Sequence, residues 1–139
     1  MLKIYHAKNT RSVRIVWLCE ELGTADHGKY LQWFHFAEAT FMVPLGNIAQ
    51  HSFVRPEDKR IPQVAAEAVE SAKKMLGILD RELAGKDFIC GKDFTAADIM
   101  LGYSLLLCKM FGLLTGDYAN AGAYFARLAA RPAFQKATA

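Results

Sequence analysis

A chain of 139 residues is sized for one domain, which can bury about 68–70% of its unfolded surface and needs neither a metal nor a disulfide to hold a core. Its 53% hydrophobic share is high, yet no run of about 18 apolar residues argues for a membrane span. The 17 basic and 14 acidic residues are intermixed to a net charge of +3, which leaves no basic block for nucleic acid.

Residues Leu2 to His6 read as a short strand. No signal-peptide pattern opens the chain, so the cytoplasm is the expected compartment. The polar stretch Ala7 to Ser12 is rich in capping residues and leads into an apolar helical run, Val13 to Leu22, that stops at Gly23. Val13, Val16, Trp17 and Glu20 share one face of that helix, and Ile15, Leu18, Cys19 and Leu22 share another, so it needs cover on two sides. A strand followed by a helix calls for a parallel partner strand, but the next helix begins almost at once. The lone strand must pair with another copy of the chain or form no strand at all.

The second helix is expected over residues 26 to 46, with Pro44 kinking or stopping it, and residues 47 to 61 as a loop or broken helix. The third runs from about Pro62 to Ala84, with Val64, Ala68, Met75, Ile78, Leu79 and Leu83 inside. Glu67, Glu70, Lys73, Lys74, Asp80 and Arg81 lie largely outside, and Gly85 serves as a cap. Lys86 to Asp93 is an extended connector whose Phe88 and Ile89 tuck under the next helix. That helix, in the stretch FTAADIMLGYSLLLCKM from Phe94 to Met110, is apolar almost all round and is expected at the centre, buried on most of its circumference. Thr95 and Asp98 have the spacing of a capping box, and Phe94 with Ile99 that of a hydrophobic staple. A last helix spans about Asn120 to Ala130, and Ala133 to Ala139 is a tail.

Cys19, Cys90 and Cys108 form no C-x-x-C pair, and two of them sit in apolar helical runs where a thiol behaves as a small hydrophobe. His35 and Glu38 are three apart but have no third ligand, and His6, His27 and His51 form no ligand set, so no metal is expected.

Four stretches together resemble the glutathione transferase family. LKIYHAKNTRSVRIVWLCEELG, Leu2 to Gly23, is similar to the first strand and helix of its thioredoxin-like domain. KYLQWFHFAEATFMVP, ending at Pro44, is similar to the first long helix of the helical C-terminal domain in bacterial members. Phe88 to Tyr103, with its Thr95/Asp98 box, and Arg131 to Ala137 complete the pattern. The resemblance implies a mainly α fold: residues 1–23 as a remnant of the thioredoxin-like domain and residues 24–139 as a five-helix bundle, with the Val13 to Leu22 helix packed against it. The family's cis-proline and its Glu/Asp-Ser pair, which grip glutathione, have no counterpart here.

By resemblance, the residue that stabilises the glutathione thiolate lies in the loop entering the first helix, where Asn9, Thr10 and Ser12 are the candidates, helped by Arg11, Arg14 and the helix dipole. The alternative is that Thr10 or Ser12 only caps the helix. Met42, Val43 and Tyr103 fall where the family lines its electrophile pocket, though such residues at helical spacing also serve as core. The implied function is conjugation of glutathione, as co-substrate, to a small apolar electrophile; the alternative is a non-catalytic helical binding or oligomerising module. Apolar faces left without a sheet to cover them point to a homodimer.

Overall fold

In the computed structural model the described residues are 25–139, with side chains from position 28 onward. The expected strand, the Val13–Leu22 helix and the candidates Asn9, Thr10, Arg11, Ser12 and Arg14 lie outside them. The described chain forms five helices and no strand. The first is a single long helix in which α1 (Ala25–His35) and α2 (Met42–Ala49) alternate with π-helical turns at Phe36–Phe41 and Gln50–Val54. Then come α3 (Pro62–Glu82), α4 (Ala96–Met110), α5 (Ala119–Ala129) and α6 (Pro132–Thr138).

Two boundaries differ from the sequence reading. Pro44 neither stops nor ends the long helix, which continues through it to Val54. The π turn just before it accounts for this: the Met42 N–H already reaches back to the Ala37 carbonyl, and that wider turn accommodates a residue that lacks a donor and crowds the preceding turn. The expected tail is also helical, because Pro132 stands at the first position of α6, where its missing N–H costs nothing.

The core is built where α4 meets its neighbours. Trp33, Phe41, Leu45, Leu76, Leu79, Leu83, Leu101, Leu105, Cys108, Tyr124 and Leu128 form one buried cluster. α4 and α5 approach closely at Gly102, where an added Cβ would stand 3.1 Å from Leu128 Cδ1. At its far end α4 closes in a Schellman motif: Leu113 N–H donates to the Cys108 carbonyl at 2.8 Å, Gly112 N–H to that of Lys109 at 3.1 Å, and Gly112 takes φ +70°. Cys108 is fully buried, and burial pushes its thiol up to about 12, so it acts as a hydrophobe.

Asp80 is not an outer charge. It is partly buried, and its Oδ1 accepts the Ala121 N–H at 2.9 Å while Oδ2 accepts Asn120 Nδ2 at 3.2 Å. Tyr118 at the N-cap of α5 supplies no side-chain cap, so a carboxylate on α3 caps the start of α5 across the bundle. Asp80→Ala is expected to cost about 1 kcal/mol, read as a lower urea midpoint at unchanged slope.

The long helix runs parallel to α4. Near its start Lys29 Nζ lies 3.2 Å from Glu82 Oε1, and Lys86 of the connector bonds the same oxygen. At its other end Phe53 stacks on Phe111 just past α4. Burial alone would push the Glu82 carboxyl up, but Lys86 and Lys29 outweigh it and hold it below its ordinary value. That stabilisation is full above pH 4.5, the ordinary value, and is lost as pH falls through the lowered one. Glu82→Gln is expected to remove this part of the acid limb of a stability-against-pH curve, by no more than about 1 kcal/mol in so exposed a cluster.

Candidate functional site

The start of α4 is held by one carboxylate. Asp98 is fully buried, and the expected capping box with Thr95 is formed. Its Oδ2 accepts the Thr95 N–H at 2.7 Å and the Thr95 hydroxyl at 2.9 Å; its Oδ1 accepts the Ile89 N–H at 2.9 Å and the Tyr124 hydroxyl at 2.7 Å. The connector is thereby pinned beneath α4, with Ile89 fully buried and Phe88 edge-on to Phe94. Burial pushes the Tyr124 hydroxyl far up, and the Asp98 carboxylate opposite it adds to the shift. Tyr124 is therefore a permanent donor. Among the described residues no buried side-chain N or O lacks a partner, so the Asp98 cluster is structural and has no atom left for a substrate.

α4 is not covered all round. Leu101 and Leu105 are fully buried, but Ile99 is 60% exposed, Tyr103 54% and Met110 70%, a stripe along one face. The staple with Phe94 does not close: Ile99 stands open to solvent, while the Phe94 ring packs on Phe88 and under Arg131, whose Cζ is 3.7 Å from the ring centroid. Along this stripe lies a cavity of about 650 Å³, with Ile99, Tyr103 and Leu106 as its floor, Leu128 and Phe134 as its wall, and Arg131 at the Phe94 end. Among the described residues Arg131 is paired with no carboxylate.

Of the expected pocket residues, Tyr103 lines this cavity and Met42 and Val43 do not. Val43 is 59% exposed on α2, and Met42 packs partly buried against the core. Arg131 was not singled out from sequence, because an arginine before a proline has no local mark of its role; its ring partner is 37 residues away. Cys90 is partly buried, and burial raises its thiol, the direction opposite to that of an activated cysteine. His51, buried near the end of the long helix, accepts the Ile61 N–H on Nδ1 at 3.0 Å, a loop anchor. His35 lies edge-on to Phe34, and no group of three metal-ligating residues occurs among the described residues. None of the described helices is long and apolar enough to cross a membrane.

The parallel long helix, the central capped α4 and the two closing helices have the fold of the C-terminal helical domain of glutathione transferases. Residues 62–127 match the family model described as glutathione S-transferase, C-terminal domain. Among solved structures it is similar to a sphingomonad glutathione S-transferase complexed with glutathione, at 27% identity over 90% of this chain and 63% of that one, TM-score 0.71. It is also similar to a glutathione S-transferase domain-containing protein of Marinobacter aquaeolei, at 26% identity over 75% and 53%, TM-score 0.63. A glutathione transferase of Phanerochaete chrysosporium, in complex with oxidized glutathione, shares the fold at 24% identity over 82% and 53%, TM-score 0.71. The chain thus spans little more than half the length of the first of these structures. No curated protein matches it in sequence.

Proposed function

We propose that the chain serves glutathione conjugation as the half that holds a small apolar electrophile. The observation that carries this reading is the cavity along α4, lined by apolar side chains and by Tyr103, which is more than half exposed, within the fold of a glutathione transferase helical domain. Apolar side chains left open on a rigid scaffold are suited to an apolar ligand. In this reading the thiol is stabilised from residues 1–23, the thioredoxin-like remnant, by Ser12, Thr10 or Asn9 at a helix N-terminus, with Arg11 and Arg14 favouring the anion. The protein is cytoplasmic and needs no metal.

Calorimetric titration of the chain with glutathione is the test, followed by conjugation of a chloronitroaromatic with Ser12→Ala and Thr10→Ala variants. Binding in the micromolar range, and turnover that falls in one of the variants, supports the reading. A flat titration overturns it in favour of a non-catalytic binding or oligomerising module. That second reading is favoured by a different observation: Phe53, Val54 and Ile61 are 62%, 65% and 49% exposed at the far end of the bundle, an apolar patch suited to a homodimer. A solution mass of one chain would remove it.

A further inference from the structure

The groove along α4 carries two charged side chains among the described residues, Asp98 and Arg131, and only one of them is free to meet a ligand. Both oxygens of Asp98 are filled by Thr95, Ile89 and Tyr124. Arg131 is held in place by its surroundings instead. Its backbone N–H donates to the Leu128 carbonyl at 3.1 Å, Pro132 follows at the first position of α6, and its guanidinium lies over the Phe94 ring with Cζ 3.7 Å from the centroid. The ring attracts the charge but is no substitute for an oxygen, so the guanidinium N–H donors still call for acceptors. Among the described residues they meet none, neither a carboxylate nor a carbonyl.

We propose that the groove takes a small aromatic carboxylate, its ring on Ile99, Tyr103 and Leu106 and its carboxylate on the Arg131 guanidinium. The inference rests on the reading of this groove as the place of the electrophile, and it narrows that electrophile from any apolar compound to an anionic one. Charge complementarity carries the choice. A wholly apolar ligand filling the groove would strip water from the guanidinium edge and offer it no acceptor, whereas a carboxylate matches the paired N–H donors of arginine in spacing and in sign. One cation balances one negative charge, which favours a carboxylate over a phosphate dianion. Because the arginine is already positioned by Phe94 and Pro132, little side-chain freedom is left to lose on binding. Size agrees as well. The floor from Ile99 to Leu106 covers seven residues of helix, about 10 Å, and the cavity of about 650 Å³ is of the size that encloses a small organic molecule. Tyr103 on the floor and Phe134 on the wall offer ring surfaces to an aromatic body.

The test compares two ligands that differ in charge and hardly in shape, 4-chloro-3-nitrobenzoate and 4-chloro-3-nitrobenzamide, by calorimetric titration of the full chain at low salt without glutathione. The benzoate should bind about tenfold more tightly than the amide, and added salt should narrow the gap. R131M should bring the two ligands to parity by weakening the benzoate alone; unchanged binding of the amide then shows that the groove is intact. R131Q, which keeps donors but no charge, is the second variant and should reach the same parity. K136M removes a cation from α6 that is off the stripe of Ala133, Phe134 and Ala137 lining the groove, and it should leave the preference as it was. Equal affinities in the unaltered chain overturn the proposal and leave the electrophile reading standing. Failure of both ligands to bind overturns the two together. A preference that survives R131M and R131Q, or that K136M abolishes as they do, puts the carboxylate elsewhere and overturns the proposal.

Discussion

Replacing Asp98 by alanine is expected to destabilise the protein by about 4 kcal/mol, the sum of a lost helix cap and two buried donors left without a partner. The donors are the Ile89 N–H and the Tyr124 hydroxyl, both on Oδ1. The Thr95 N–H and hydroxyl, on Oδ2, are only partly buried and regain water more easily. Such a loss is a large share of the about 5–15 kcal/mol that domains possess. Asp98→Asn keeps one acceptor but turns an amide donor toward other donors, so it should cost about half as much. Tyr124→Phe removes one donor and leaves Oδ1 still bonded by Ile89, for about 1–2 kcal/mol. Urea unfolding of the three variants should rank them in that order; Asp98→Ala within about 1 kcal/mol of the parent would show that the carboxylate only caps.

The same residue shows how far sequence reaches. Thr95 and Asp98 are three apart, so their reciprocal bonding is written in local spacing. The partners on Oδ1 come from 9 residues before and 26 after, and no spacing rule marks them. Asp80 makes the same point. Helical periodicity placed it outside, but its carboxylate bonds the start of a helix 41 residues on. Periodicity reports how apolar each face is and is silent on what stands opposite. That is why α4, apolar almost all round, is expected to be buried on most of its circumference, whereas Ile99, Tyr103 and Met110 are exposed. Pro44 illustrates a third limit: a propensity rule assumes α geometry, and a π turn changes the geometry before the proline is reached. The pocket residues Met42, Val43 and Tyr103 were placed by resemblance alone, and the structure puts only Tyr103 beside the cavity.

Within α4 the contrast between its two sides sets the second large expected effect. Leu105 is fully buried in the central cluster, Leu106 is partly buried, and Met110 is 70% exposed. All three are large apolar residues on one helix, so helix propensity separates them by only a few tenths of a kcal/mol. Leu105→Ala removes a side chain packed on every side and should cost about 2–5 kcal/mol, with the larger value if the helices around it cannot close on the space. Met110→Ala deletes a side chain already mostly in water and should stay within about 0.5 kcal/mol. Leu106→Ala should fall between, because one side of it meets the core and the other the groove. Urea midpoints at constant slope measure all three. Equal losses at Leu105 and Met110 would mean that the stripe from Ile99 to Met110 is sealed as tightly as the core.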